Sequence, residues 1–103
     1  MDKSTVVTLV STAYETDEFG QKTPVETLFD VFCELQSVSM SEWFEAGRNG
    51  IKPEYRLTMS QFDYDGQTEV IIFGKRYGIY RTYIYKNDNI ELYVEQKAGV
   101  QNG

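Results

Sequence analysis

Val70-Ile71-Ile72-Phe73-Gly74-Lys75-Arg76-Tyr77-Gly78-Ile79-Tyr80-Arg81-Thr82-Tyr83-Ile84-Tyr85-Lys86-Asn87-Asp88-Asn89-Ile90-Glu91-Leu92-Tyr93-Val94 alternates runs of β-branched and aromatic residues with turn residues. Runs of that composition, divided by Gly or Asn-Asp clusters, are the signature of strands joined by tight turns. A short strand enters Gly74 and a longer one leaves at Tyr77. The longer strand pairs back through Asn87-Asp88-Asn89 with a last strand, Ile90 to Glu95. A meander of this kind needs other strands to cover its apolar face, so the fold is decided by whether the upstream residues supply them.

They do. Thr5 to Tyr14 is rich in Val and Thr and reads as a first strand, followed by the acidic turn Glu15-Thr16-Asp17-Glu18-Phe19-Gly20, in which Gly20 is free to take positive φ. From Val25 the alternation is regular. Val25, Thr27, Phe29, Val31, Cys33 and Leu35 fall on one face, and Glu26, Leu28, Asp30, Phe32, Glu34 and Gln36 on the other. That is the period of a long strand with one buried side. Leu28 and Phe32 are the apolar residues on its charged side. They are either scattered surface hydrophobes or a contact with another subunit.

The period then changes. Ser39-Met40-Ser41-Glu42 matches a capping box, Met40 to Ala46 makes about two helical turns, and Gly47 suits the C′ position. Trp43 and Phe44 are expected to pack this helix on the sheet. Arg48 to Pro53 reads as a mobile loop, and Glu54 to Phe62 returns to alternation with Tyr55, Leu57 and Met59 inward and Arg56, Thr58 and Ser60 outward. Asp63-Tyr64-Asp65-Gly66 lacks the ligand spacing and closing Glu of a calcium loop and is a turn. The expectation is one all-β domain over residues 1–103: a small, partly closed antiparallel β-barrel or sandwich of about six strands with one short helix. The polar end, residues 96–103, is expected to be loosely held.

Composition narrows the chemistry. The chain has no His and a single Cys33 on a core face, which removes Ser–His–Asp and Cys–His nucleophilic arrangements and the usual zinc ligand sets. Gly74-Lys75 lacks the earlier glycine of a phosphate loop. Asp17 and Glu18 have no third ligand and read as turn residues. No catalytic, cofactor or metal site is expected. No stretch approaches the ~20 apolar residues of a membrane span, so no membrane partner is expected, and the chain reads as a soluble cytoplasmic product.

Net charge is −6 and unevenly spread. Residues 2–45 hold nine acids and two bases, whereas residues 75–86 hold Lys75, Arg76, Arg81 and Lys86 and no acid. This is either ordinary solvated charge or a pair of faces that complement one another between subunits. The run Lys75, Arg76, Tyr77, Tyr80, Arg81, Tyr83, Tyr85, Lys86 also has the composition of a stacking platform. The alternative function is therefore a small barrel that binds single-stranded nucleic acid, which the acidic balance opposes.

Asp17 to Gly20, Ser39 to Gly47, the strand Tyr55-Arg56-Leu57-Thr58, the stretch Ile71 to Ile79 and the terminal hairpin form a sequence of features over residues 5–97. In that order the chain resembles the head–tail joining (head-closure) proteins of tailed bacteriophages, including copies in prophages of Gram-positive bacteria. The most specific part is Phe73-Gly74-Lys75-Arg76-Tyr77-Gly78-Ile79 after the Tyr55 strand. The resemblance implies a non-enzymatic virion protein, made in the host cytoplasm, that assembles as a homo-oligomeric ring under the portal or adaptor and closes the filled capsid. The same ring is the docking surface for tail proteins, and DNA passes through its channel without specific binding. Loops facing that channel act as the plug, for which Arg48, Asn49, Gly50 and Lys52, or the turn Asp63 to Gly66, are the positions here. Leu28, Phe32, Lys75, Arg76 and Arg81 are the expected subunit interface: an apolar centre with an acidic rim, met by the neighbour's basic stretch.

Overall fold

A computed structural model describes residues 3–84, 86 and 88–96. Six strands and one helix follow in order: β1 (Thr5–Thr16), β2 (Lys22–Gln36), α1 (Met40–Gly47), β3 (Pro53–Ser60), β4 (Glu69–Ile72), β5 (Lys75–Ile84) and β6 (Asn89–Gln96), with a 3₁₀ turn at Gln61–Asp63. All neighbours are antiparallel, and the sheet closes on itself in the order β1-β2-β3-β6-β5-β4. Closure removes most of the sheet edge that an open meander would expose. Tyr85, Asn87 and the expected loose tail from 97 onward lie outside the described residues. Gln96 itself closes β6 opposite Tyr77.

The core is where the alternation places it on β3, β4 and β6. Leu57, Met59, Val70, Ile72, Leu92 and Val94 are fully buried, joined by Val7, Leu9, Val31 and Cys33 from the first two strands. Tyr55 and Tyr77 add an edge-to-face pair with centroids 5.6 Å apart. Burial pushes the Cys33 thiol up to about 11, with Glu34 adding to the effect, so Cys33 is a small core residue. Thr58, read as outward, is also buried, because Glu34 and Glu91 flank it in register on the two adjacent strands.

The first departure from expectation lies in β2. Phe29 is half exposed and Val25 more than a third exposed, although both belong to the face read as buried. The cause is pairing length. β1 and β2 pair from Thr5–Cys33 to Thr16–Lys22, but β1 meets β4 only at Thr8 to Val10, and β2 meets β3 only at Glu34 to Gln36. Beyond those rungs the hairpin leaves the barrel as a two-stranded ribbon, and the molecule is drawn out to 49 × 31 × 24 Å. Only Val31 and Cys33, next to the barrel, are buried in β2.

The helix also departs. Ser39 caps it as read, accepting from the Glu42 N–H at 3.1 Å. The helix nevertheless buries Ala46, while Trp43 and Phe44 are half exposed and pack edge-to-face on each other. Gly47 remains inside the helix, Arg48 is the cap, and the left-handed residue is Gly50 at φ 78°. The segment after the helix is tied down rather than loose. The N–H groups of Arg48, Asn49, Gly50 and Ile51 donate to Phe44, Ala46, Gly47 and Ala46 carbonyls at 3.0–3.2 Å.

The β4–β5 connection is a two-residue turn, Phe73-Gly74, closed by the pair Ile72–Lys75. Both residues have positive φ, 51° and 80°. That is the turn whose twist fits a hairpin and whose first position favours Asn or Gly over a bulky side chain.

Candidate subunit-contact surface

Residues directly opposite in an antiparallel pair share a face. The rungs Val6–Phe32, Thr8–Asp30 and Val10–Leu28 therefore place Val6, Phe32 and Leu28 together on the outside of the β1–β2 hairpin. Their exposures are 49, 61 and 58 %. The Thr8 hydroxyl donates to Asp30 at 2.6 Å between them. The opposite face of the ribbon carries exposed Phe29 and Val25, so β2 offers large apolar side chains on both faces. A strand of that kind ordinarily lies between covering layers.

The structure brings Leu28 and Phe32 together, and engages two of the three bases, Arg76 and Arg81, within the chain. Arg76 donates twice to Glu26, at 2.7 and 3.1 Å, and once to Glu69 at 2.9 Å. The guanidinium fork holds the Glu26 carboxyl below the usual carboxylate range, and the two carboxylates drive the Arg76 pKa up. Arg81 donates to Glu42 on α1 and lies over the Tyr93 ring, 4.3 Å from its centroid. Both guanidinium groups thus neutralise acids of their own chain. Lys75, beside the Phe73-Gly74 turn, is exposed.

Glu42 was legible as a capping residue, yet its carboxylate turns to β5 instead, accepting from the Tyr80 hydroxyl at 2.7 Å as well as from Arg81. Burial and the neighbouring carboxylate raise the Tyr80 pKa. Neither this cluster nor Glu26–Arg76–Glu69 has a sequence signal, since each joins residues far apart in the chain.

The loop positions Arg48, Asn49, Gly50 and Lys52 are exposed at the end of α1. Arg48 lies 3.6 Å from Glu45, with both side chains mostly in water. A cavity of about 240 Å³ opens between α1 and this loop, lined by Trp43, Gly47, Gly50, Ile51 and Lys52. In the other expected loop, Gly66 takes φ 80° and the Tyr64 hydroxyl donates to the Gln67 carbonyl at 2.7 Å.

The aromatic and basic run is dispersed by the fold. Tyr77 is buried, Tyr80 is bonded to Glu42, Arg76 and Arg81 are engaged, and Tyr83 is exposed. At the ribbon tip the Asp17 carboxylate accepts from the N–H groups of Phe19 and Gln21, at 2.9 and 2.8 Å, as a turn residue does. Among the described residues no three His, Cys, Asp or Glu side chains group as metal ligands. No helix there is long and apolar enough to cross a membrane. No protein-family model matches the chain, and no curated protein matches it significantly.

Proposed function

We propose that the chain is a structural, non-enzymatic virion protein that forms a ring between the portal or adaptor and the tail of a bacteriophage. The ring closes the filled capsid and gives the tail its docking surface. The observation that supports this most is the outer strip Val6, Leu28 and Phe32 on a hairpin whose long second strand has a neighbour on one side only over residues 22–33. An open strand edge with apolar side chains on both faces is a hazard in a monomer and an asset in an assembly. The resemblance of residues 5–97 to head–tail joining proteins supplies the particular assembly. The net charge of −6 suits a conduit that lets phosphates pass without holding them. In this reading the protein is made in the host cytoplasm and ends in the virion, and the Leu28–Phe32 strip packs against the adjacent subunit.

The test is Phe32→Asp. The side chain is 61 % exposed, so the purified variant should melt as the parent does, within roughly 0.5 kcal/mol. It should fail to enter completed particles. Unfolding of the variant, or normal incorporation, contradicts the proposed contact.

A further inference from the structure

The ribbon tip and the helix that walls the α1 cavity lie at the two ends of β2. β2 starts at the tip and runs 15 residues to the connection that enters α1. At about 3.3 Å per residue that is about 50 Å, the length of the whole subunit. The tip is built rather than loose. Asp17 accepts two backbone N–H groups, the Asp17 N–H donates to the Gln21 carbonyl at 2.9 Å, and Gly20 turns the chain at φ 81°. This frame holds Phe19 out in solvent at 82 % exposure, the highest among the large hydrophobic residues described. Residues 15–20 carry Glu15, Asp17 and Glu18 and no base, so the tip is an aromatic knob with an acidic collar.

The far end has the complementary features. The cavity of about 240 Å³ has an indole, an isoleucine and two glycines in its wall, and its one charged lining residue is Lys52. A dry cavity of about 150 Å³ accepts benzene, so there is room for a phenyl ring. Arg48, exposed a turn away, holds its acid partner Glu45 only at 3.6 Å in water, a pairing weak enough to exchange.

We propose that Phe19 of one copy inserts into the Trp43–Ile51–Lys52 cavity of a second copy, with Glu18 and Glu15 facing Lys52 and Arg48. Knob and socket are different surfaces, so the contact is head-to-tail and repeats from copy to copy. It makes residues 48–52 a docking rim rather than a channel plug. The inference rests on the ring-forming reading only for the closure of that repeat into a circle.

The experiment places benzoylphenylalanine at position 19 of the full chain, which keeps an aromatic knob, and irradiates the protein at about millimolar concentration. Cross-linked dimers are expected, with the adduct mapping to residues 43–52 of the other copy. Glu18→Lys and Lys52→Glu should each lower the yield by roughly threefold, the scale of one exposed ion pair, and the double variant should restore it. No cross-link, an adduct elsewhere, or a double variant no better than the singles overturns the proposal. Repeating the irradiation in assembled particles separates it from the proposed function. Particles that contain the protein but give adducts only outside 43–52 sink this contact and leave the function standing. Adducts at 43–52 in free protein that never joins a particle do the reverse.

Discussion

Arg76 and Glu26 stand fifty positions apart in the chain and meet through two hydrogen bonds, at 2.7 and 3.1 Å, on the outside of the barrel. Because Arg76 also holds Glu69 at 2.9 Å, one guanidinium fastens the projecting ribbon to the β4–β5 hairpin. Arg76→Ala should therefore loosen the ribbon without opening the barrel. Amide exchange over residues 11–16 and 22–30 should speed up, while Leu57 and Leu92 keep their protection. Arg76→Lys restores the charge but not the fork and should fall between. The sign with pH follows from Glu26, whose folded pKa lies below its ordinary 4.5 because Arg76 donates to it. Its contribution is present above that value and is lost as acid protonates the folded state. Ribbon protection should fall below about pH 4.5 in the parent and be insensitive to acid there in Arg76→Ala.

Two residues hold α1, by different means. Ser39→Ala removes a cap and should cost about 1 kcal/mol. Glu42→Ala removes the acceptor of Tyr80 and Arg81 and should cost more, on the order of 1.5–3 kcal/mol. Urea midpoints of the two variants check the order. If Ser39→Ala proves the costlier, the helix is held by its cap and not by β5.

Most of the barrel was legible because its inward positions repeat every second residue, as at Leu57 and Met59 or Val70 and Ile72. How far the barrel reaches along β2, and which side of α1 it covers, were not. Val25 and Phe29 carry the same alternation as Val31 and Cys33, yet they lie past the last rung with β3 and are exposed. Alternation records that a strand has two faces; it does not record where its neighbour stops. Trp43 and Phe44 misled in the same way, since size suggests burial but it is the small Ala46 that α1 buries. At the candidate surface, Leu28 and Phe32 stood out as misfits in a charged face. The intramolecular use of Arg76 and Arg81 had no local sign, because their acids lie on other elements.

Phe73 occupies a left-handed position that costs a side-chain-bearing residue about 1–2 kcal/mol, and at 74 % exposure it buries little surface to offset the strain. Phe73→Asn should stabilise the protein by about 1 kcal/mol, read as a higher urea midpoint at unchanged slope. A destabilised variant would mean that the ring shields the turn.

Alkali should weaken the fold. Burial raises Tyr64, Tyr77, Tyr80 and Tyr93 above their ordinary 10.0, and raises Cys33 from 9.0 to about 11. The folded state then keeps protons that the unfolded chain releases, so stability is whole below about pH 9 and declines as pH rises from there. Tyr80→Phe, which removes one such hydroxyl, should make the decline shallower. A flat profile from about pH 8 to about pH 11 would contradict these burials.

The proposal that the chain joins heads to tails is tested most directly by deleting its gene in the phage or prophage to which that proposal assigns it, and imaging the lysate by electron microscopy. Filled heads without tails, leaking DNA, beside complete unattached tails are the predicted result, with attachment restored when the protein is supplied in trans. Intact tailed particles of normal infectivity from the deletion strain would contradict it.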